Sequence, residues 1–323
     1  MTQLKNKISL NPNWKFKEIY PSVSAYTTTF NCLEGNYPFE QAIRSFGWCD
    51  EVVVADGGST DGTKERLEEL KKELPNLVIY DIALSENPGK DGELKSMSRA
   101  MCMSDYLIQF DSDELCMGDV LKWKKLVKNF PDNQQLQEML VLEPIGSLTN
   151  LRMNDGHNNL KWRLSKNATE ITHGIPDYDR IEKDGKLWSS GKSDGCFPVH
   201  IVTNKLIPSF AKNEEKTAAQ LKSQHNVEEY KRHIQDLINN NHPMILHLGH
   251  VKLEKKLKLY LKSWHSWWNE LYQKTENVYW PGVAIADVTQ EMIDAKIKEI
   301  IDTTPSVHIP EIEQLCHLTN IGS

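Results

Sequence analysis

Two aspartates one residue apart, Asp111-Ser112-Asp113, directly follow the apolar run Tyr106-Leu107-Ile108-Gln109-Phe110. Carboxylates are hard oxygen donors. A pair placed just past a buried segment can hold a divalent cation and leave coordination positions open to a diphosphate. The cation would offset the charge of a departing anion. Alone, such a triplet is more commonly a solvated turn or a helix cap. Here a second polar loop has the same placement: Glu51-Val52-Val53-Val54-Ala55 runs into Asp56-Gly57-Gly58-Ser59-Thr60-Asp61-Gly62. Its glycines let main-chain groups approach a ligand without obstruction by a Cβ.

Other residues are candidates with plainer alternatives. Lys95 and Arg99 lie about one helical turn apart and either face a diphosphate or form a solvated helix face. His247-Leu248-Gly249-His250 follows the strand-like Met244-Ile245-Leu246, so His247 emerges near the end of a buried segment. The stretch from Lys252 to Gln273 spaces Leu253, Leu257, Tyr260, Trp264, Trp267 and Leu271 at helical intervals among lysines. Core packing or a subunit contact is the leading reading; a membrane surface or a platform for a sugar acceptor remains open.

Positioning these residues requires a particular order of elements. Val23 to Thr29 reads as a strand, and a helix follows with Phe39, Ala42, Ile43 and Phe46 on one face before Gly47. Glu51–Ala55 is a strand of the kind buried on both faces, Thr63–Leu74 a helix ending at Pro75, Leu77–Tyr80 a third strand, Glu93–Met103 a helix, and Tyr106–Phe110 a fourth strand. Strand and helix alternate, which predicts an α/β fold: a Rossmann-like, mostly parallel sheet with helices on both faces. Such sheets bind ligands beyond the carboxyl ends of their strands, where both acidic loops fall. Past about residue 145 the pattern weakens into Gly/Asn/Asp-rich turns that suggest hairpins, and from about 211 it becomes helical.

At this point a resemblance becomes visible. Val52 to Thr63 resembles the strand–Asp–Gly–Ser–Thr–Asp–Gly segment of family 2 glycosyltransferases, which have the GT-A fold. Thr28-Thr29-Phe30-Asn31 stands where that family carries Pro-Thr-Tyr-Asn, and Gly92–Ala100 with Tyr106–Glu114 is similar to its helix and DxD strand. The likeness spans roughly residues 22 to 116 with the motifs in the family's order. It implies that Asp56 contacts the nucleotide base, that Thr28 and Thr29 line the nucleotide pocket beside Gly57, and that Asp111 and Asp113 form the metal motif for Mn2+ or Mg2+. It also implies a C-terminal histidine as an additional ligand, His247 before His250. Family 2 members invert, so a carboxylate downstream of the DxD is expected to take the acceptor's proton. Asp177 is favoured because its His-Gly-Ile-Pro lead-in stiffens the loop; Asp179, Asp194 and Glu170 are alternatives. The chain departs from the family in carrying Gly57 for a second aspartate and in lacking both the Glu-Asp dipeptide and the Gln-x-x-Arg-Trp motif of processive synthases.

The composition agrees with this reading. In 323 residues, 38 Lys and Arg against 45 Asp and Glu give a net charge of −7, a poor balance for gripping nucleic acid. No apolar stretch approaches the ~18 residues that cross a bilayer, and six dispersed cysteines indicate reduced thiols. Asn167-Ala168-Thr169, without a secretory signal, is read as a chance glycosylation triplet. The expectation is a cytoplasmic enzyme with three parts: residues 1–145 hold the donor, 146–250 form the acceptor side of the same catalytic domain, and 251–323 are a helical extension. It would move one sugar from a UDP- or GDP-linked donor to a hydroxyl on a glycan, lipid-linked or other small acceptor. Peripheral membrane contact and a homo-oligomer through the C-terminal helix remain open. The alternatives are a sugar-nucleotide nucleotidyltransferase, or a sugar-nucleotide- or glycan-binding module without catalysis.

Overall fold

The computed structural model of the chain describes residues 20–82, 91–153, 160–173, 181–183, 186–188, 199–200, 205–206, 209–265 and 277–313. The first half alternates as the apolar pattern predicts: β1 (Val23–Thr29), α1 (Phe39–Ser45), β2 (Glu51–Asp56), α2 (Thr63–Glu73), β3 (Leu77–Asp81), α3 (Asp91–Ala100) and β4 (Tyr106–Gln109). β2 is apolar at every position between its ends, and Val52 to Ala55 are fully buried, as expected of a strand covered on both faces.

Beyond the acidic turn come β5 (Glu114–Met117), α4 (Val120–Lys128), β6 (Leu136–Leu142), β7 (Asn150–Arg152) and β8 (Leu160–Lys166). Short strands follow: β9 (Ile171–Thr172), β10 (Ile181–Lys183), β11 (Lys186–Trp188), β12 (Val199–His200), β13 (Lys205–Leu206) and β14 (Ser209–Phe210). The chain then forms α5 (Asn213–Ser223), α6 (Val227–Asn239), β15 (Met244–His247), α7 (Leu253–Leu259), α8 (Gln290–Thr303) and β16 (Ser306–His308). The hairpin reading holds at Lys183 and Lys186, where β10 and β11 pair antiparallel.

The main sheet runs β3-β2-β1-β4-β8-β6-β15-β5, with β14 also beside β6. β1, β2, β3 and β4 are mutually parallel, β14 and β15 run parallel to β6, and β8 is antiparallel to both β4 and β6. The sheet is thus mixed α/β and mostly parallel. Residues past 145 extend it rather than build a second sheet of comparable size. The core gathers on it, with Phe46 stacked on Phe110 at 4.2 Å between ring centroids and Trp123 fully buried.

Two sequence expectations change. β5, which the apolar pattern did not separate from the acidic turn, starts at Glu114, so the turn joins two strands of one sheet. The helical stretch from Lys252 is α7 followed by a wider π turn over Tyr260–Trp264; residues 266–276, with Trp267 and Leu271, lie outside the described residues. Leu253, Leu257 and Tyr260 are buried, and Leu257 and Tyr260 pack with Trp280 and Ile293 in a cluster of their own. These three residues are therefore core. Among the described residues no helix is long and apolar enough to cross a membrane.

Candidate active site

β1 has β2 on one side and β4 on the other, the strand-order reversal that opens a crevice at the carboxyl ends. Thr29, Asp56 and Gln109 end these strands. Thr28 and Thr29 lie in register with Ala55 and Asp56, so the two loops start side by side.

Asp56 is fully buried. Its Oδ1 accepts from the Gly58 and Ser59 amides (3.0 and 2.7 Å), and its Oδ2 from the hydroxyls of Thr29 and Ser59 (2.8 and 2.6 Å). A carboxylate has about four acceptor positions, and here the chain itself fills them. Asp56 thus organises the glycine loop. Gly57 donates its amide to the Thr29 carbonyl at 2.8 Å, and a Cβ there would come within 3.1 Å of Leu94. The loops are stitched further by Asn31, which accepts from the Thr60 amide, and by Asp61, which accepts from the Glu34 amide.

Asp111 is held from two elements. Lys95 of α3 approaches its Oδ1 at 2.9 Å, Gln109 donates to the same oxygen at 2.9 Å, and Arg163 of β8 donates to Oδ2 at 3.0 Å. Burial works against its charge, yet Lys95 and Arg163 hold its carboxyl well below the usual carboxylate range. Arg163 is 1% exposed and also donates to Glu114 at 2.7 Å and to Gln109. Lys161, two residues earlier on the same face of β8, lies 3.7 Å from Glu114 and 3.2 Å from Glu143.

Asp113 and His247 meet because β15 pairs with β5, placing His247 opposite Glu114. Asp113 Oδ2 is 3.4 Å from His247 Nε2. A Cβ on Gly249 would lie 2.8 Å from each of these atoms, so only glycine leaves the space between them clear. Burial pulls the His247 imidazole down, but Asp113 outweighs it and the group rises to about 9. Glu143 Oε1 stands 3.5 Å from His247 Nδ1; its other oxygen is buried with no hydrogen-bond partner among the described residues. Asp113 is lowered despite burial, chiefly by His247.

The donor set of this pair fits a divalent cation: one carboxylate oxygen and one imidazole nitrogen face each other across a cradle that a side chain would fill. Imidazole favours Mn2+ over Mg2+ as the occupant. Among the described residues no three His, Cys, Asp or Glu side chains converge to hold a metal alone. The pair would need substrate oxygens and water to complete the coordination. Asp111 does not stand in this open pair, because its oxygens are taken by Lys95, Gln109 and Arg163.

Arg99, expected near the diphosphate or in solvent, does neither. It is 3% exposed and donates to the Ile171 carbonyl, the Ser165 hydroxyl and the Lys166 carbonyl at 3.0, 2.8 and 2.8 Å, fastening α3 to β8 and β9. Glu170 accepts from Gln135 at 3.4 Å, beside the end of β8 that pairs with the start of β4. The antiparallel run of β8 therefore carries it away from the acidic turn. Asp177, Asp179 and Asp194 lie outside the described residues. Arg163, Lys161 and Glu143 belong to no motif; the signal for the first two was the alternation Lys161-Trp162-Arg163-Leu164-Ser165, which sends three polar side chains to one face.

With this geometry in view, residues 40–179 match the model of "Glycosyl transferase family 2". The matched residues take in the Asp56 loop, the Asp111 turn and β8, and the mixed, mostly parallel sheet is consistent with the GT-A fold; the match marks the chain as an enzyme of the glycosyltransferase class. Similar solved structures include S. aureus TarS 1–349 in complex with UDP (17% identity, 79% of this chain and 76% of that one, TM-score 0.36). Another is S. aureus TarS 1–349 in complex with UDP-GlcNAc (15%, 88% and 82%, TM-score 0.35). A third is glucosyl-3-phosphoglycerate synthase from Mycobacterium tuberculosis (23%, 40% and 46%, TM-score 0.28). No curated protein matches the chain.

Proposed function

We propose that the protein transfers a single hexosyl group from a UDP- or GDP-linked donor to an acceptor hydroxyl, with inversion and with the help of a divalent cation. The observation that carries this reading is the meeting of Asp113 and His247 across Gly249, next to the Asp111 turn and at the same sheet edge as the Asp56 loop. A cation held by Asp113 and His247 would supply positive charge for the diphosphate as it leaves.

The rest is the chain's own work. Main-chain groups of the Gly57–Ser59 loop, held open by Asp56, receive the nucleoside between that loop and Thr28. Lys95 lies at the Asp111 turn, 5% exposed at its side chain, and adds a fixed positive charge toward the diphosphate. Arg163 keeps Asp111 and Glu114 in place beneath it. The acceptor's proton goes to a carboxylate supplied from residues 174–198, with Asp177 preferred. Glu170 is the weakest of the four candidates because of its place on the sheet.

The test is donor turnover. Incubated with Mn2+ and a panel of UDP- and GDP-sugars, the wild-type chain is expected to release nucleoside diphosphate, and Asp113→Asn to lose both that release and the Mn2+-induced thermal shift. A full shift in Asp113→Asn would sink the metal assignment. Saturable donor binding without turnover in any acceptor mixture would favour a binding module instead.

A further inference from the structure

The two nitrogens of the His247 ring have different neighbours. Nε2 faces Asp113, whereas Nδ1 is buried and makes no hydrogen bond among the described residues. Glu143 stands against that second nitrogen. It is 5% exposed, its Oε1 lies 3.5 Å from Nδ1, and its Oε2 is buried with no hydrogen-bond partner among the described residues. A nitrogen in need of an acceptor thus adjoins a carboxylate oxygen in need of a donor, and leaving both unmet is costly. A movement of roughly half an ångström brings the pair to ordinary hydrogen-bond distance.

The sheet builds this meeting. β6 and β15 run parallel, with Val141 beside Ile245 and Leu142 beside Leu246, so the next residues along the two strands are Glu143 and His247. Pro144 follows, which favours extended backbone at Glu143 and so continues the strand. The Glu143 carbonyl accepts from the Arg152 amide at 3.0 Å, and Lys161 of β8 approaches Oε1 at 3.2 Å, so main chain and side chain are both held. Glu114, which pairs with His247 from β5 on the other flank, is engaged by Arg163 and Lys161 instead.

We infer that Glu143 is a positioning residue for His247: its carboxylate accepts the Nδ1 proton, so that Nε2 turns its lone pair toward Asp113. The inference rests on the cation site of the proposed function. A neutral imidazole has one lone pair to give, and a ring that ligates through Nε2 carries its proton on Nδ1. Metal-bound histidines almost always donate that proton to a carboxylate, a carbonyl or water, which fixes the ring and raises its basicity. Glu143 addresses the nitrogen that Asp113 does not, and so acts through the ring rather than as a ligand. Lys161 holds it there.

A double-mutant cycle on Mn2+ binding is the test. Free Mn2+ is measured by electron paramagnetic resonance in the wild type, Glu143→Gln, His247→Gln and the double variant of the full chain, with folding checked by circular dichroism. Glu143→Gln should weaken binding by about tenfold or more in the wild-type background and by less than about twofold where His247 is already Gln. An equal loss in both backgrounds, as from lost charge or a disturbed fold, overturns the inference, as does no loss in either. Should Glu143→Gln not fold, the wild type alone is decisive. With Zn2+ as a diamagnetic substitute and 15N-labelled histidine, His247 should carry its proton on Nδ1, shifted downfield by the carboxylate that accepts it. A bare Nδ1, or a proton resonance without that shift, overturns the role. Failure of the proposed function reads differently. Mn2+ affinity unchanged by His247→Gln removes the cation site and this inference with it, whereas a loss in His247→Gln beside none in Glu143→Gln overturns the role of Glu143 alone.

Discussion

Asp113 and His247 are brought to 3.4 Å by strand pairing, and the space between them depends on what residue 249 lacks. Gly249→Ala would place a methyl group 2.8 Å from both donors, closer than any real Cβ contact. The expected result is a folded protein whose Mn2+ affinity, measured by calorimetry, falls about 10- to 100-fold, as when the support around a metal ligand is lost. Unchanged affinity would mean that the cation binds elsewhere. The sequence displayed the glycine between two histidines, but whether it was a turn residue or a clearance was not legible, because the clearance is measured against Asp113, more than 130 positions earlier. Asp56 teaches the same lesson from the other side. Its residue type and loop were plain in the sequence, yet its carboxylate is consumed by Thr29, Gly58 and Ser59.

At the scale of elements, β8 was the hardest to foresee. It inserts antiparallel between β4 and β6 and delivers Arg163 to Asp111 and Glu114. Removing one partner of a buried ion pair leaves the other charge uncompensated, so Arg163→Met should destabilise the chain by about 3–5 kcal/mol in urea unfolding. A loss under 1 kcal/mol would show that the network contributes little to folding. The loop after β2 makes a second, smaller prediction. Asp56→Ala leaves the buried Ser59 amide without its acceptor, a cost of about 1–3 kcal/mol. Nucleotide affinity should fall with it, because the loop loses its organiser; Asp56→Asn, which retains a carbonyl oxygen, should lose less of both. Equal losses in the two variants would count against the organising role.

Among the described residues the largest core lies on the sheet, and one of the smaller clusters gathers around Leu257, Tyr260, Trp280 and Ile293. β16 ties the C-terminal part back by pairing with β7, and the Met153 amide donates to the Pro305 carbonyl. Trp280→Ala should open a cavity costing about 3–5 kcal/mol locally. In hydrogen exchange, protection should fall across residues 253–303 while β1, β2 and β4 stay protected, as for a cooperative unit of its own. Equal loss of protection in the central strands would show that the two cores unfold together.

Local chemistry let the sequence determine a good deal by itself. Runs such as Val52-Val53-Val54-Ala55 can only be buried strand, glycines and prolines close the helices where they stand, and the order of loops carried the resemblance to family 2 glycosyltransferases, in agreement with the family match over residues 40–179. Tertiary structure alone decided which side chains face one another. Arg99 turned inward to β8 and β9, Glu170 was carried to the opposite end of the sheet, and Arg163, Glu143 and Gly249 joined the site without belonging to any motif. The reason is geometric: period and composition act over a few residues, whereas strand register couples positions a hundred or more apart and sets distances to fractions of an ångström.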